Sequence, residues 1–325
     1  MQNATHVTEV KVKDAFGTVV PGFDKAPDAA TLVGFNGMDQ HPFQVQVMED
    51  ADFLFDKEAW MTMAYAWNRE WSRKDTDPRR GVWFGGPKGT GKTTLVEQFF
   101  GRLKVPVTVI TCNRKTPLAD LLTKMSPDGT GGWIQTPGPL KLAMQMGLPV
   151  CLNEVSRMDP ADLVAVNDII DRGIHIMDDG EVVRAARGFV VFATDNTMGF
   201  GDERGAYMDA NMMDQSFLSR FLKFEVTYPA EDVEIKILQN RAGLDEATAR
   251  QHVKFATAVR HAYERATSSV TMGTRELIDW AQASTYFGSL KTEAGALFAL
   301  RRVMGGCPGQ EMKALEQIYR STFGG

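Results

Sequence analysis

The chain has 325 residues, 43% of them hydrophobic and 24% charged, with a formal net charge of −5. That length suits about two domains, and the balance excludes wholesale disorder, a collagen-like chain and a coiled-coil rod. The mild acidity lacks the basic footprint of a nucleic-acid binder, and three scattered cysteines exclude a disulfide framework and fit a reducing compartment.

Residues 1–10 hold no basic segment followed by an apolar run, and nowhere do about eighteen apolar residues run together. The expectation is a cytoplasmic protein without signal peptide or membrane span. Short extended pieces at Val10–Val12, Thr18–Val20 and Phe43–Val47, broken by Gly, Pro and Asp, predict an N-terminal arm over residues 1–55 packed on the rest. A first helix is predicted over Lys57–Trp71, where Trp60, Met63, Ala64 and Trp67 recur at helical spacing.

From Gly81 short apolar runs alternate with helical stretches: Val82–Phe84, Val105–Thr111, Pro149–Leu152, Phe189–Ala193 and Phe221–Thr227. Being apolar on both faces, they read as five strands of a helix-covered parallel sheet, an α/β doubly wound core over 56–228. After Pro229 only helical patterns follow, at Asp232–Ala242, Asp245–Ala266, Thr274–Phe287, Thr292–Met304 and Gln310–Ser321. Residues 229–325 therefore read as a small all-helical domain.

The strongest motif is Gly86, Pro87, Lys88, Gly89, Thr90, Gly91, Lys92 and Thr93, a complete G-x-x-x-x-G-K-[ST] between a strand and a helix that continues through Thr94. Glycines let the backbone N–H groups wrap a phosphate, a lysine reaches the β and γ phosphates, and the threonine hydroxyl suits Mg²⁺. The motif implies Mg-ATP or a related triphosphate, with Lys92 as phosphate ligand and Thr93 as metal ligand. A later strand should end in polar groups for metal and water, and Asn153-Glu154 ends Pro149–Leu152. Glu154 reads as the water-positioning base. Asn153, where an Asp usually stands, keeps an oxygen for Mg²⁺ and loses the charge, so slow turnover is expected.

These motifs, with Phe189-Val-Val-Phe-Ala-Thr-Asp-Asn196, resemble the AAA+ ATPases. Ala193–Asp202, Gly205–Tyr207 and Gln215–Phe221 are similar to the MoxR group, most of all to the ATPase subunits of aerobic cobaltochelatases, the CobS type. The resemblance implies an AAA+ P-loop core with a C-terminal lid, ATP hydrolysis, and assembly into a homo-oligomer, a hexameric ring. It also implies a von Willebrand A type partner and a large chelatase subunit. By it Asn196 becomes sensor 1, Arg220 an arginine finger for the neighbouring subunit, and Arg275 sensor 2. Residues 124–139, which carry Trp133 amid small residues, match the family's helix-2 insert; the alternative for Trp133 is a buried anchor of its own loop. Residues 174–183 form a hairpin by their own pattern, with Asp179-Gly180 as the turn.

The five histidines show neither H-E-x-x-H nor cysteine spacing, so no zinc site is expected. Three function classes remain: an ATPase motor that remodels a partner, a nucleotide-gated scaffold that barely hydrolyses, and a nucleic-acid translocase. The net charge and the lack of a basic arm weigh against the third.

Overall fold

The computed structural model describes residues 6–36, 48–201, 210–289 and 295–324. Strand β1 (His6–Lys11) pairs antiparallel with β2 (Thr31–Asn36), and α1 (Val12–Phe16) follows β1 directly. The arm is therefore a two-stranded antiparallel sheet with helical turns between its strands, and two expectations fail there. Val12 opens a helix, and Thr18–Val20 is a turn in which the Val19 and Val20 amides both donate to Phe16 O. Val19 and Val20 are apolar because they are buried, and that burial was mistaken for strand pattern. Phe43–Val47 lies outside the described residues. This two-stranded sheet packs on the core through Trp67 Nε1, which donates to Val33 O at 2.7 Å, and Phe35 N, which donates to Leu103 O.

Helix α2 (Lys57–Ser72) starts where the Asp56 carboxylate accepts from Ala59 N, and it buries Trp60, Met63 and Trp67. Then come β3 (Gly81–Gly85), α3 (Lys92–Arg102), β4 (Thr108–Thr111) and α4 (Leu118–Leu122). The insert forms an antiparallel hairpin, β5 (Thr123–Pro127) and β6 (Trp133–Pro137), on which Trp133 is 65% exposed and anchors nothing. Helix α5 (Pro139–Met146), β7 (Val150–Asn153) and α6 (Pro160–Arg172) follow. A second hairpin, β8 (Ile174–Ile176) and β9 (Val182–Arg184), turns at Asp179-Gly180, where Gly180 takes φ +87°. The core closes with β10 (Val191–Asp195), α7 (Gln215–Leu218) and β11 (Phe221–Glu225).

The five core strands form one parallel sheet in the order β11-β3-β10-β7-β4. β4 starts at Thr108, later than the apolar run, because Pro106 has no N–H to offer a ladder. The register sets Gly85 beside Asp195 and Asn153 beside Thr111. The carboxyl ends of β3, β10, β7 and β4 thus lie along one edge, where sheets of this kind place their ligands.

Beyond β11 the chain is helical: α8 (Glu231–Ala242), α9 (Glu246–Glu264), α10 (Thr274–Ser289), α11 (Gly295–Val303) and α12 (Gly309–Phe323). Residues 290–294, where the fourth helix was expected to begin, lie outside the described residues. Their core is built on Phe255, Trp280, Leu300 and Tyr319. A buried ion pair crosses it: Arg260 donates to both Glu234 oxygens, at 2.7 and 2.8 Å, and to Met272 O. By contact density the chain divides into two compact units. One comprises Met1–Ala51, Phe55–Gly86 and Lys92–Val226, and the other Asp52–Leu54, Pro87–Gly91 and Thr227–Gly325.

Candidate nucleotide site

The phosphate loop takes its shape from glycines in the left-handed region: Gly86 at φ +134°, Gly89 at +74° and Gly91 at +83°. A Cβ on Gly86 would come within 2.1 Å of Val226 O, so that position tolerates nothing larger. Thr90 Oγ1 donates to Pro87 O within the loop. Lys92, only 8% exposed at the start of α3, donates to Gly86 O at 2.8 Å and to Asn196 Oδ1 at 3.0 Å. Thr94 sits half-buried in the same first turn.

At the end of β7 the Asn153 Oδ1 accepts from Thr93 Oγ1 at 2.6 Å and from Thr194 Oγ1 at 2.7 Å. Thr93 and Asn153 therefore present two neutral oxygens side by side, a donor pair that suits a hard cation completing its shell with water and phosphate oxygens. Among the described residues no cluster of three or more His, Cys, Asp and Glu could hold a metal. Glu154 takes the left-handed conformation (φ +58°), its amide donates to Thr194 Oγ1, and its carboxylate pairs with Arg157 at 2.9 Å. Burial, with Glu154 near, pushes the Cys112 thiol up to about 12, so it is no nucleophile.

Lys92 is thus bonded to Asn196 and Thr93 to Asn153, with Glu154 adjacent to Asn153 in the chain. Arg220 is elsewhere. Its carbonyl accepts from Gly81 N at the amino-terminal end of β3, opposite the phosphate loop. The length of β3 separates them, about 13 Å at ordinary strand rise. There Arg220 pairs with Asp171 at 2.8 Å beside a cavity of about 570 Å³ that Arg80 and Arg172 also line. Arg275 is exposed in the first turn of α10, and its neighbour Glu276 makes the contacts. Glu276 accepts from Gly273 N at 3.0 Å and lies 3.6 Å from Lys88 Nζ.

Sequence reasoning missed Thr194, Asp195, Arg157 and Glu276. Thr194 and Asp195 stood inside the motif that ends at Asn196, and two polar residues closing an apolar strand were a signal that could have found them. The pairings of Glu154 with Arg157 and of Lys88 with Glu276 leave no such trace.

Residues 81–221 match the AAA domain (dynein-related subfamily), and residues 234–305 match the CbbQ/NirQ/NorQ C-terminal family. The chain is 26% identical to the aerobic cobaltochelatase subunit CobS of Sinorhizobium sp. over 289 residues, 85% of this chain and 82% of that protein. It is 32% identical to CbbQ of Hydrogenophilus thermoluteolus over 178 residues, 54% of this chain and 64% of that one. To midasin of Giardia intestinalis it is 31% identical over 160 residues, 48% of this chain and 3% of that one. It therefore spans less than two thirds of CbbQ and a small fraction of midasin. Among solved structures, the Thermotoga maritima RuvB Holliday junction branch migration motor superposes with a TM-score of 0.52 at 14% identity, covering 87% of this chain and 82% of that one. That likeness is one of fold.

Proposed function

Because the chain is an AAA+ ATPase of the MoxR type, an AAA domain followed by a CbbQ/NirQ/NorQ-type domain, we propose that it binds Mg-ATP at the loop Gly86–Thr94 and hydrolyses it in a ring to remodel a partner protein. The observation that carries this is the pair of hydrogen bonds that ties Lys92 and Thr93, at the start of α3, to Asn196 and Asn153 at the ends of β10 and β7. Lys92 offsets phosphate charge once it leaves Gly86 O, and Asn196 holds its ammonium in line. Glu154 orients the attacking water and takes its proton when Arg157 releases it. Thr93 and Asn153 would hold Mg²⁺, which supplies charge neutralisation at the β and γ phosphates.

Arg220 serves a neighbouring subunit in this proposal. It lies at the far end of β3 from its own loop, on the edge strand side of the sheet where a second copy can dock. Arg275 is the lid's contribution to the nucleotide. The partner is of the von Willebrand A type, with a large chelatase subunit if the similarity to CobS extends to cobalt insertion. Asn153 favours one further reading, a scaffold that holds ATP and turns it over slowly. The first test is calorimetry: Lys92→Ala should weaken ATP binding at least tenfold, about 1.4 kcal/mol. Unchanged affinity would remove the nucleotide site itself.

A further inference from the structure

Asp195 is the last residue of β10, 2% exposed, and directly precedes Asn196. No cation pairs with it among the described residues; its partners are all neutral donors. Oδ2 accepts from Thr197 N at 2.9 Å, Thr197 Oγ1 at 2.7 Å and Gly199 N at 2.8 Å, so residues 195–199 wrap around one oxygen. Oδ1 accepts from Ser156 Oγ, two residues beyond Glu154. Ser156 is itself buried, and its carbonyl accepts from Asn211 N.

Two non-glycine residues near this carboxylate hold left-handed backbone, Glu154 at φ +58° and Met198 at φ +56°. Such conformations persist where surrounding bonds over-determine them, and they gather at functional sites. Here the bonds that over-determine both meet at Asp195. The wrap fixes Met198 and so the direction in which Asn196 leaves the sheet. The Ser156 bond fixes the turn that aims Glu154. A buried acid that only filled space would need no such set of donors, and an apolar residue would fill it at lower desolvation cost.

We propose that Asp195 is a positioning residue that locks Glu154 and Asn196 into one arrangement, so that the water-orienting group and the γ-phosphate sensor are set together. The proposal rests on the ATPase reading above. It makes Asp195 matter to turnover and little to nucleotide affinity, because the bond of Lys92 to Gly86 O and that of Thr93 to Asn153 do not pass through it.

The test is steady-state ATPase kinetics on the full chain, with nucleotide affinity measured separately by calorimetry. Asp195→Asn keeps the shape and turns an N–H₂ toward donors. It should lower kcat at least tenfold while leaving the Kd for ATP within about threefold. Ser156→Ala removes one hydroxyl and should fold even if Asp195→Asn does not. It should lower kcat about three- to tenfold, and the double variant should be no slower than Asp195→Asn alone, since contacting residues in one network are not additive. Full kcat in Ser156→Ala overturns the proposal, as does a loss in which kcat and affinity fall together. Glu154→Gln and Asn196→Ala serve as controls. If both abolish turnover while the Asp195 and Ser156 variants turn over normally, only the positioning role fails. If the wild-type chain itself turns over no ATP, the ATPase reading has failed; if the controls stay as active as the wild type, Glu154 and Asn196 do not carry the chemistry and the positioning role falls with them.

Discussion

Replacing Arg260 by alanine isolates what the buried ion pair of the helical unit is worth. Arg260 and Glu234 are 6% and 1% exposed, and the arginine makes two bonds to the carboxylate, a third to Met272 O, and stacks 4.0 Å over the Tyr228 ring. Removing it leaves Glu234 a buried charge with, among the described residues, only Thr274 Oγ1 as a side-chain donor. Breaking a pair of this kind costs about 3–5 kcal/mol, most of it the penalty on the stranded partner. At about 1.4 kcal/mol per factor of ten, amides that exchange by opening of the helical unit should exchange roughly a hundred to several thousand times faster. The assay is hydrogen–deuterium exchange of the full chain, read on peptides from α9 and α10, with α2 and α3 as internal reference. Replacing both partners, Arg260→Met with Glu234→Leu, should recover most of the loss, because no charge is then stranded. If Arg260→Ala changes exchange in α9 and α10 by less than about tenfold, or if the double variant is the worse of the two, the reasoning about the stranded carboxylate is wrong.

Asn153→Asp keeps the acceptor that Thr93 and Thr194 use and adds a charge, so it should raise the ATPase rate or lower the Mg²⁺ requirement; a variant unchanged in both assigns the metal to another group. Arg220→Ala and Glu154→Gln should each bind ATP and turn over very little, since an arginine finger is worth about 10³–10⁵ in rate. Mixed rings of the two should regain activity, and mixed rings that stay inactive at every ratio would refute the action of Arg220 in trans. Burial beneath Trp280 and Phe323 pushes the pKa of His252 down, against a smaller upward pull from the Thr248 carbonyl. Below about pH 6.5 the unfolded chain therefore binds more protons at this site, and the stability His252 contributes at neutral pH is lost as pH falls. His252→Gln should show a smaller drop in Tm than the wild type between pH 7 and pH 5, and parallel curves would contradict the buried neutral imidazole.

The phosphate loop was legible because its chemistry is local. Glycines, lysine and threonine must stand at fixed spacing between a strand and a helix, and no distant contact decides it. Strands β3, β10 and β7 were legible because they are buried on both faces and largely apolar, whereas the edge strands β4 and β11 are partly exposed and stood out only by their apolar runs and their place between helical stretches. The arm misled because Val19 and Val20 are apolar for burial in a turn, while β2, with Gly34 amid its apolar residues, gave too weak a pattern to be singled out. The positions of Glu154 and Arg220 could be read, and the company they keep could not. Arg157 shares a turn with Glu154, but Asp171 reaches Arg220 through the packing of α6 beside the start of β11. The hub at Asp195 was hidden for the same reason. Its donors come from a strand end, a turn and a loop that only the folded sheet brings together.

The β5–β6 hairpin carries the one strongly exposed indole of the chain, since Trp60, Trp67, Trp83 and Trp280 are buried and Trp71 is partly covered. Nature has thereby placed an optical reporter on the insert. A water-soluble quencher such as acrylamide reaches Trp133 first, so the quenchable part of the protein's own fluorescence belongs mainly to that tip. Whatever covers the hairpin, whether a second copy or a bound polypeptide, will shield that fraction and shift its emission to the blue, and occupancy of the insert can be followed without attaching any label.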